Sequence, residues 1–231
     1  MGYGQSHIKS YVLRAGRMSD AQRRSYKTLF PDFCVPFTPE PAEAGSFRLD
    51  FKHIFGNENP VTLEIGFGMG IATAMIAQDN PQKNYLGVEV HRPGIGRLLW
   101  EIDARSISNI RIIEHDAVEV LEKMIPPSSI AAFHIFFPDP WPKKRHHKRR
   151  LLTRPFTGLL AEKLCPGGYV YMVTDWADYG DWALAELSAT NGLRNRYAGF
   201  AEHQSWRPET KFERKGIEKQ HEVRELFFLK G

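Results

Sequence analysis

The feature that most constrains this 231-residue chain is an alternation that begins near Phe47, in which short apolar runs are separated by longer amphipathic ones. VTLEIG (61–66), NYLGVEV (84–90), IRIIEHD (110–116), IAAFHIFF (130–137) and GYVYMVT (168–174) have the length and the β-branched or aromatic content of buried strands. Between and after them, Met69–Gln78, Gly94–Ser106, Ala117–Met124, Thr153–Leu164 and Tyr179–Thr190 read as helices, and VRELFFLK (223–230) as a last strand. Such alternation predicts βαβ units, and therefore an α/β fold with a doubly wound, mainly parallel, Rossmann-like sheet and a terminal antiparallel strand. Residues 46–231 are expected to form this domain. Residues 1–45 show weak periodicity and then a Pro-rich run (Pro31, Pro36, Pro39, Pro41), which predicts an extended basic arm that docks on the domain and ends in a loop.

In doubly wound sheets, ligands bind outside the carboxyl ends of the strands. Every one of the five strand ends carries an acid: Glu64, Glu89, Asp116, Asp139 and Asp175. In LEIGFGMG, Gly66, Gly68 and Gly70 follow a strand and open a helix, so the backbone can approach a ligand closely. A tight strand–helix connection alone would also use these glycines. The spacing is GxGxG, not the GxGxxG of dinucleotide folds, and Glu64 beside it would repel a pyrophosphate while suiting a cationic or zwitterionic ligand. Glu89 stands where an acid commonly accepts ribose hydroxyls. Asp116 could accept an adenine amino group, or could simply cap the helix that starts at Ala117. A ribose, an adenine and a cationic amino-acid portion describe S-adenosylmethionine better than NAD, and a hydride-site constellation is lacking.

The net charge of +4 is concentrated. In FFPDPWPKKRHHKRR (136–150), six charges from Lys143, Lys144, Arg145, Lys148, Arg149 and Arg150 fall within eight positions, and without those six the +4 becomes −2. That patch suits a polyanion, although charge runs are often only solvated surface. A sparser cluster (Lys9, Arg14, Arg17, Arg23, Arg24, Lys27) occupies the arm. His146 and His147 are adjacent, lack a partner cysteine and sit among cations, so no metal site is expected. Two distant cysteines, Cys34 and Cys165, argue for a reducing compartment. No apolar run nears the ~20 residues of a membrane helix, and the N-terminus lacks a signal-peptide core. A cytoplasmic protein with no membrane association and no obligate protein partner is expected.

Taken in order, LEIGFGMG, GVEVHRPG, HDAVEVL, FFPDPWPKKRHHKRR, TDW and TKFE make the chain resemble the bacterial tRNA (guanine-N7)-methyltransferases, from the arm IKSYVLRAGRMS to the final strand. The PDPW block with its basic run and the TKFE tetrapeptide carry the resemblance; the glycine loop is common to class I methyltransferases. The resemblance implies methyl transfer from S-adenosylmethionine, leaving S-adenosylhomocysteine, to N7 of a guanine in the tRNA variable loop. It implies a catalytic Asp139 and a cofactor site of Glu64, Gly66, Gly68, Glu89, Asp116, Ala117 and Asp139. It places Lys143, Asp175, Thr210, Lys211, Phe212 and Glu213 at the substrate, the last four in a loop closing over it, and Arg145, His146, His147, Lys148, Arg149 and Arg150 on RNA. Trp141 offers a stacking surface for an extruded base, or packs in the core; Asp175 could instead cap a helix. A catalytically silent RNA-binding protein on the same fold is the alternative, and intact acids at all five strand ends favour the enzyme.

Overall fold

A computed structural model describes residues 8–12, 16–38, 49–209, 213 and 222–231. Its elements are α1 (Asp20–Phe33), α2 (Phe51–Phe55), β1 (Val61–Ile65), α3 (Ile71–Asp79), β2 (Asn84–Glu89), α4 (Arg92–Arg105), β3 (Ile110–Glu114), α5 (Ala117–Lys123), β4 (Ile130–Phe136), α6 (Arg154–Lys163), β5 (Leu164–Thr174), α7 (Ala177–Ser188), β6 (Leu193–Asn195) and β7 (Arg224–Lys230). Seven strands form one sheet in the order β3-β2-β1-β4-β5-β7-β6. The first five are parallel, and β7 runs antiparallel to both β5 and β6. The strand order reverses between β1 and β4, which puts the ligand-binding crevice of a doubly wound sheet at the ends of those two strands.

The expected α/β sheet and its terminal antiparallel strand are present. β1 and β2 are buried at every position, as parallel strands covered on both faces must be. One core layer joins Leu63, Leu86, Phe133 and Val170 of the sheet to Val120, Leu160 and Leu187 of α5, α6 and α7. The other joins Ile76 and Leu98 of α3 and α4 to Tyr85, Ile110 and Ile112.

Three expectations change. The arm is not extended throughout: Asp20–Phe33 is a helix. Ser19 and Gln22 form a reciprocal capping box at its start, and Tyr26, Phe30 and Phe33 pack on the α3/α4 layer. Gln22 donates to the Pro93 carbonyl at 3.2 Å, so α1 is fastened to α4. Second, β5 begins at Leu164, four residues before the run GYVYMVT, because Leu164 already pairs with Ile130 ahead of a register shift. Third, the short α2 and β6 carried no readable period.

No helix among the described residues is long and apolar enough to cross a membrane.

Candidate active site

The loop after β1 takes its shape from Gly66 and Gly68, at φ +71° and +58°, a region that costs side chains strain. A Cβ on Gly94 would lie 1.9 Å from the Gly68 carbonyl oxygen, so α4 can abut the loop only with glycine there. Glu89, at the end of β2, accepts the Gly68 N–H at 2.8 Å and the N–H groups of Val90 and His91 at 2.7 and 3.0 Å. Asp116 caps α5, accepting from Val118 and Glu119 at 2.9 and 3.4 Å. The capping role left open by sequence is thus filled; burial, followed by the charge of this carboxylate, pushes the Tyr11 hydroxyl up to about 12.

Glu64 lies beneath this surface, 4% exposed and in register with His134 of β4. Burial pushes its carboxyl up to about 7; the Thr73 hydroxyl opposes this, and the like charge of Glu89 adds to it. His134 is also buried, and burial followed by the Lys83 charge depresses it to about 3, so its ring is neutral. It accepts or donates at 3.1 Å with the Tyr169 hydroxyl and stacks on Trp206, ring centroids 4.8 Å apart.

The corner Phe137–Trp141 is unusual in its backbone. Both end residues, Phe137 and Trp141, have positive φ (+50° and +46°) without being glycine. The Phe137 N–H is tied to the Val173 carbonyl at 2.8 Å. Between these fixed points Asp139 is exposed. A cavity of about 350 Å³ gathers Gly66, Glu89, Asp116, Ala117 and Asp139 from three crossover connections and the corner, with Tyr11 and Leu151 among its other walls. Four of the expected cofactor residues and the expected catalytic acid therefore meet at the sheet's switch point. Gly68 and Glu64 stand behind the lining. Asp175 follows β5 but does not line this cavity, and the cap position of α7 is held by Trp176.

The basic run forms a 3₁₀ segment, Lys144–Arg149. Lys143, Arg145 and Lys148 are exposed, as an RNA surface requires, and His146 and His147 are half-buried. His146 is held below its ordinary value by desolvation and then by Arg145, Lys143, Arg149 and Lys148. It meets the Trp141 ring edge-on, whereas His147 meets Trp182. Arg150 corrects the expectation of a phosphate contact: it is 2% exposed, donates to the Pro140 carbonyl at 3.0 Å and pairs with Asp178. Arg149 and Trp141 are engaged too, with carbonyls of the N-terminal arm, so Trp141 is neither a free stacking surface nor core.

Thr210, Lys211 and Phe212 lie outside the described residues. Glu213 is described, and its carboxylate is not offered to a substrate: it is buried against Arg207, with contacts of 2.5 and 2.7 Å. Arg207, completely buried, also bonds Glu225 at 2.7 Å and the Tyr171 hydroxyl at 3.1 Å. The trio His203, Glu213 and Glu225 is compact enough to suggest a metal site, but this guanidinium already supplies its cation. Sequence reading missed Tyr11 and Arg207. Neither belongs to a local pattern, since their partners lie on other elements; only the S-x-x-Q capping box at Ser19–Gln22 was a readable signal for the arm.

Fold and site together define a class I methyltransferase. Residues 58–226 match a family model described as "Putative methyltransferase". A tRNA (guanine-N(7)-)-methyltransferase of Nitrosospira multiformis is 48% identical over 223 residues, covering 96% of this chain and 94% of that one. One from Thiobacillus denitrificans is 47% identical over 227 residues, covering 98% and 97%. The chain belongs to the tRNA (guanine-N(7)-)-methyltransferase family. Among solved structures, the 16S rRNA methyltransferase KamB superposes with a TM-score of 0.58 at 14% identity, covering 78% of this chain and 92% of that one, which is a likeness of fold.

Proposed function

We propose that this chain transfers a methyl group from S-adenosylmethionine to N7 of a guanine in the tRNA variable loop. The observation that carries the reading is the meeting of Gly66, Glu89, Asp116 and Asp139 around one cavity beside exposed Lys143, Arg145 and Lys148. At about 350 Å³ the cavity suits a ligand of cofactor size. Its acids fit a cationic adenosyl compound: Glu89 and Asp116 suit ribose and adenine, while Glu64, behind the lining, makes no direct contact. S-Adenosylmethionine supplies an electrophilic methyl group on a sulfonium.

Guanine N7 carries an in-plane lone pair and no proton, so the protein has no proton to remove there. Its work is to hold N7 in line with the methyl group and to stabilise the positive charge that the base gains. Asp139 is exposed between two backbone-constrained aromatics, which makes it a stiffly presented carboxylate for the N1–H and N2 amino edge of guanine. Lys143 is suited to guanine O6, and Asp175, with Thr210, Lys211 and Phe212, to the remaining edge. Arg145 and Lys148 provide phosphate contacts that position an RNA without reading its sequence. We assign residues 1–45 as a basic arm and 46–231 as the catalytic domain, acting in the cytoplasm.

The test is incubation of the full chain with methyl-labelled S-adenosylmethionine and bulk tRNA, followed by nucleoside analysis. Label in N7-methylguanosine, located in the variable loop, is expected. Label in another nucleoside, or tRNA binding without transfer, overturns the assignment.

A further inference from the structure

One wall of the cavity comes from neither the sheet nor its crossovers. Ser10, Tyr11 and Val12 of the arm line it as a strap. Two side chains grip this strap by its backbone. Trp141 Nε1 donates to the Ser10 carbonyl at 2.8 Å; Arg149 Nε donates to the Lys9 carbonyl at 3.1 Å and its Nη2 to the Tyr11 carbonyl at 2.9 Å. The Arg149 guanidinium lies 3.9 Å from the Trp141 ring centroid, so the two clips also brace each other. Held this way, Tyr11 lines the cavity together with Asp116, whose charge helps raise the Tyr11 hydroxyl.

We propose that Ser10–Val12 is a movable wall of the cofactor site, that Tyr11 is a further cofactor-contacting residue, and that Trp141 and Arg149 are positioning residues that keep the wall closed in the RNA-free chain. The proposal rests on the cofactor reading above. Arg149 belongs to the segment that offers Lys148 and Arg145 to phosphates, yet its donors are spent on strap carbonyls. A phosphate that draws Arg149 away must release the strap. RNA and cofactor then influence each other's binding, and the influence is reciprocal.

The experiment measures the dissociation rate of labelled S-adenosylhomocysteine from the full chain, with and without saturating bulk tRNA. Tyr11→Ala and Trp141→Phe are expected to raise the rate at least about fivefold, the lower end of ordinary coupling. Tyr11→Phe, which keeps the ring and loses only the hydroxyl, is expected to fall between parent and Tyr11→Ala, and it carries the test should the alanine variant misfold. Bulk tRNA is expected to speed release from the parent and to add little to Tyr11→Ala. A parental rate in both Tyr11 variants overturns the strap as a wall. Faster release in those variants with no effect of tRNA on the parent overturns the coupling through Arg149. Failure of the parent chain to bind S-adenosylhomocysteine at all is a distinct result, and it removes the cofactor reading on which the strap depends.

Discussion

Glu89 Oε2 receives the Gly68 N–H at 2.8 Å, so the acid that ends β2 also holds the loop that follows β1. The two connections that build half of the cavity are therefore one mechanical unit. Its carboxylate accepts three backbone N–H groups in all, leaving limited capacity for a ligand hydroxyl.

Glu89→Ala removes both the loop clamp and the expected ribose contact. The KM for S-adenosylmethionine is expected to rise at least about tenfold, corresponding to the loss of roughly one charge-assisted hydrogen bond. Initial-rate kinetics check this; an unaltered KM excludes Glu89 from the cofactor site.

Asp139→Asn keeps the shape of the corner and removes the charge. Methyl transfer is expected to fall by about 100-fold or more, by analogy with loss of a preorganised electrostatic group, while tRNA affinity stays within a few fold. Single-turnover rates and filter binding separate the two. Equal activity of the variant takes Asp139 out of the mechanism.

Glu64 makes stability depend on pH. Its folded carboxyl, raised by burial to about 7, lies above an unfolded value near 4.5. The protonated group is harmless at low pH, and stability is lost as pH rises from about 4.5 through 7. Glu64→Gln is expected to melt several degrees above the parent at pH 8, from a relief on the order of 2 kcal/mol, and to match it near pH 4.5. Thermal melts across this range decide; a pH-independent difference shows that Glu64 does not titrate there.

The basic segment divides by burial. Arg145→Ala with Lys148→Ala is expected to reduce the log–log salt slope of tRNA binding by about 1.4–1.8, leaving folding unchanged. Arg150→Ala is expected to leave that slope alone and to cost about 1–3 kcal/mol of stability, because the Pro140 carbonyl and Asp178 lose their partner. Salt titrations paired with urea unfolding test both halves, and a slope that falls with Arg150→Ala would return that residue to the RNA surface.

Arg207→Met leaves Glu213 and Glu225 as buried carboxylates without their shared cation. A loss of about 3–5 kcal/mol is expected. Urea unfolding measures it, and a near-parental midpoint shows the acids to be neutral in the fold.

The sheet was legible because its information is local. Five apolar runs and the helices between them follow from side-chain periods of 2 and 3.6 within each segment. Asp139 and Glu89 were legible for a related reason: a parallel sheet puts the ends of all its strands on one edge, so position in a run predicts position at the site. α1 escaped because its helical face shows only once α4 is there to receive Tyr26, Phe30 and Phe33.

By itself, then, the sequence determined the α/β class, the switch-point edge and the acids on it, together with a concentration of charge beside them. Only the tertiary structure decided which of those charges are available. Arg150 and Arg149 are adjacent in the chain, yet one is spent on Pro140 and Asp178 and the other on the strap, whereas Lys148 beside them faces solvent. The physical reason is that a charge in a sequence has no direction. Its partner is chosen by whichever carbonyl or carboxylate the packed chain brings within about 3 Å, and for Arg149 that partner lies about 140 residues away in the arm.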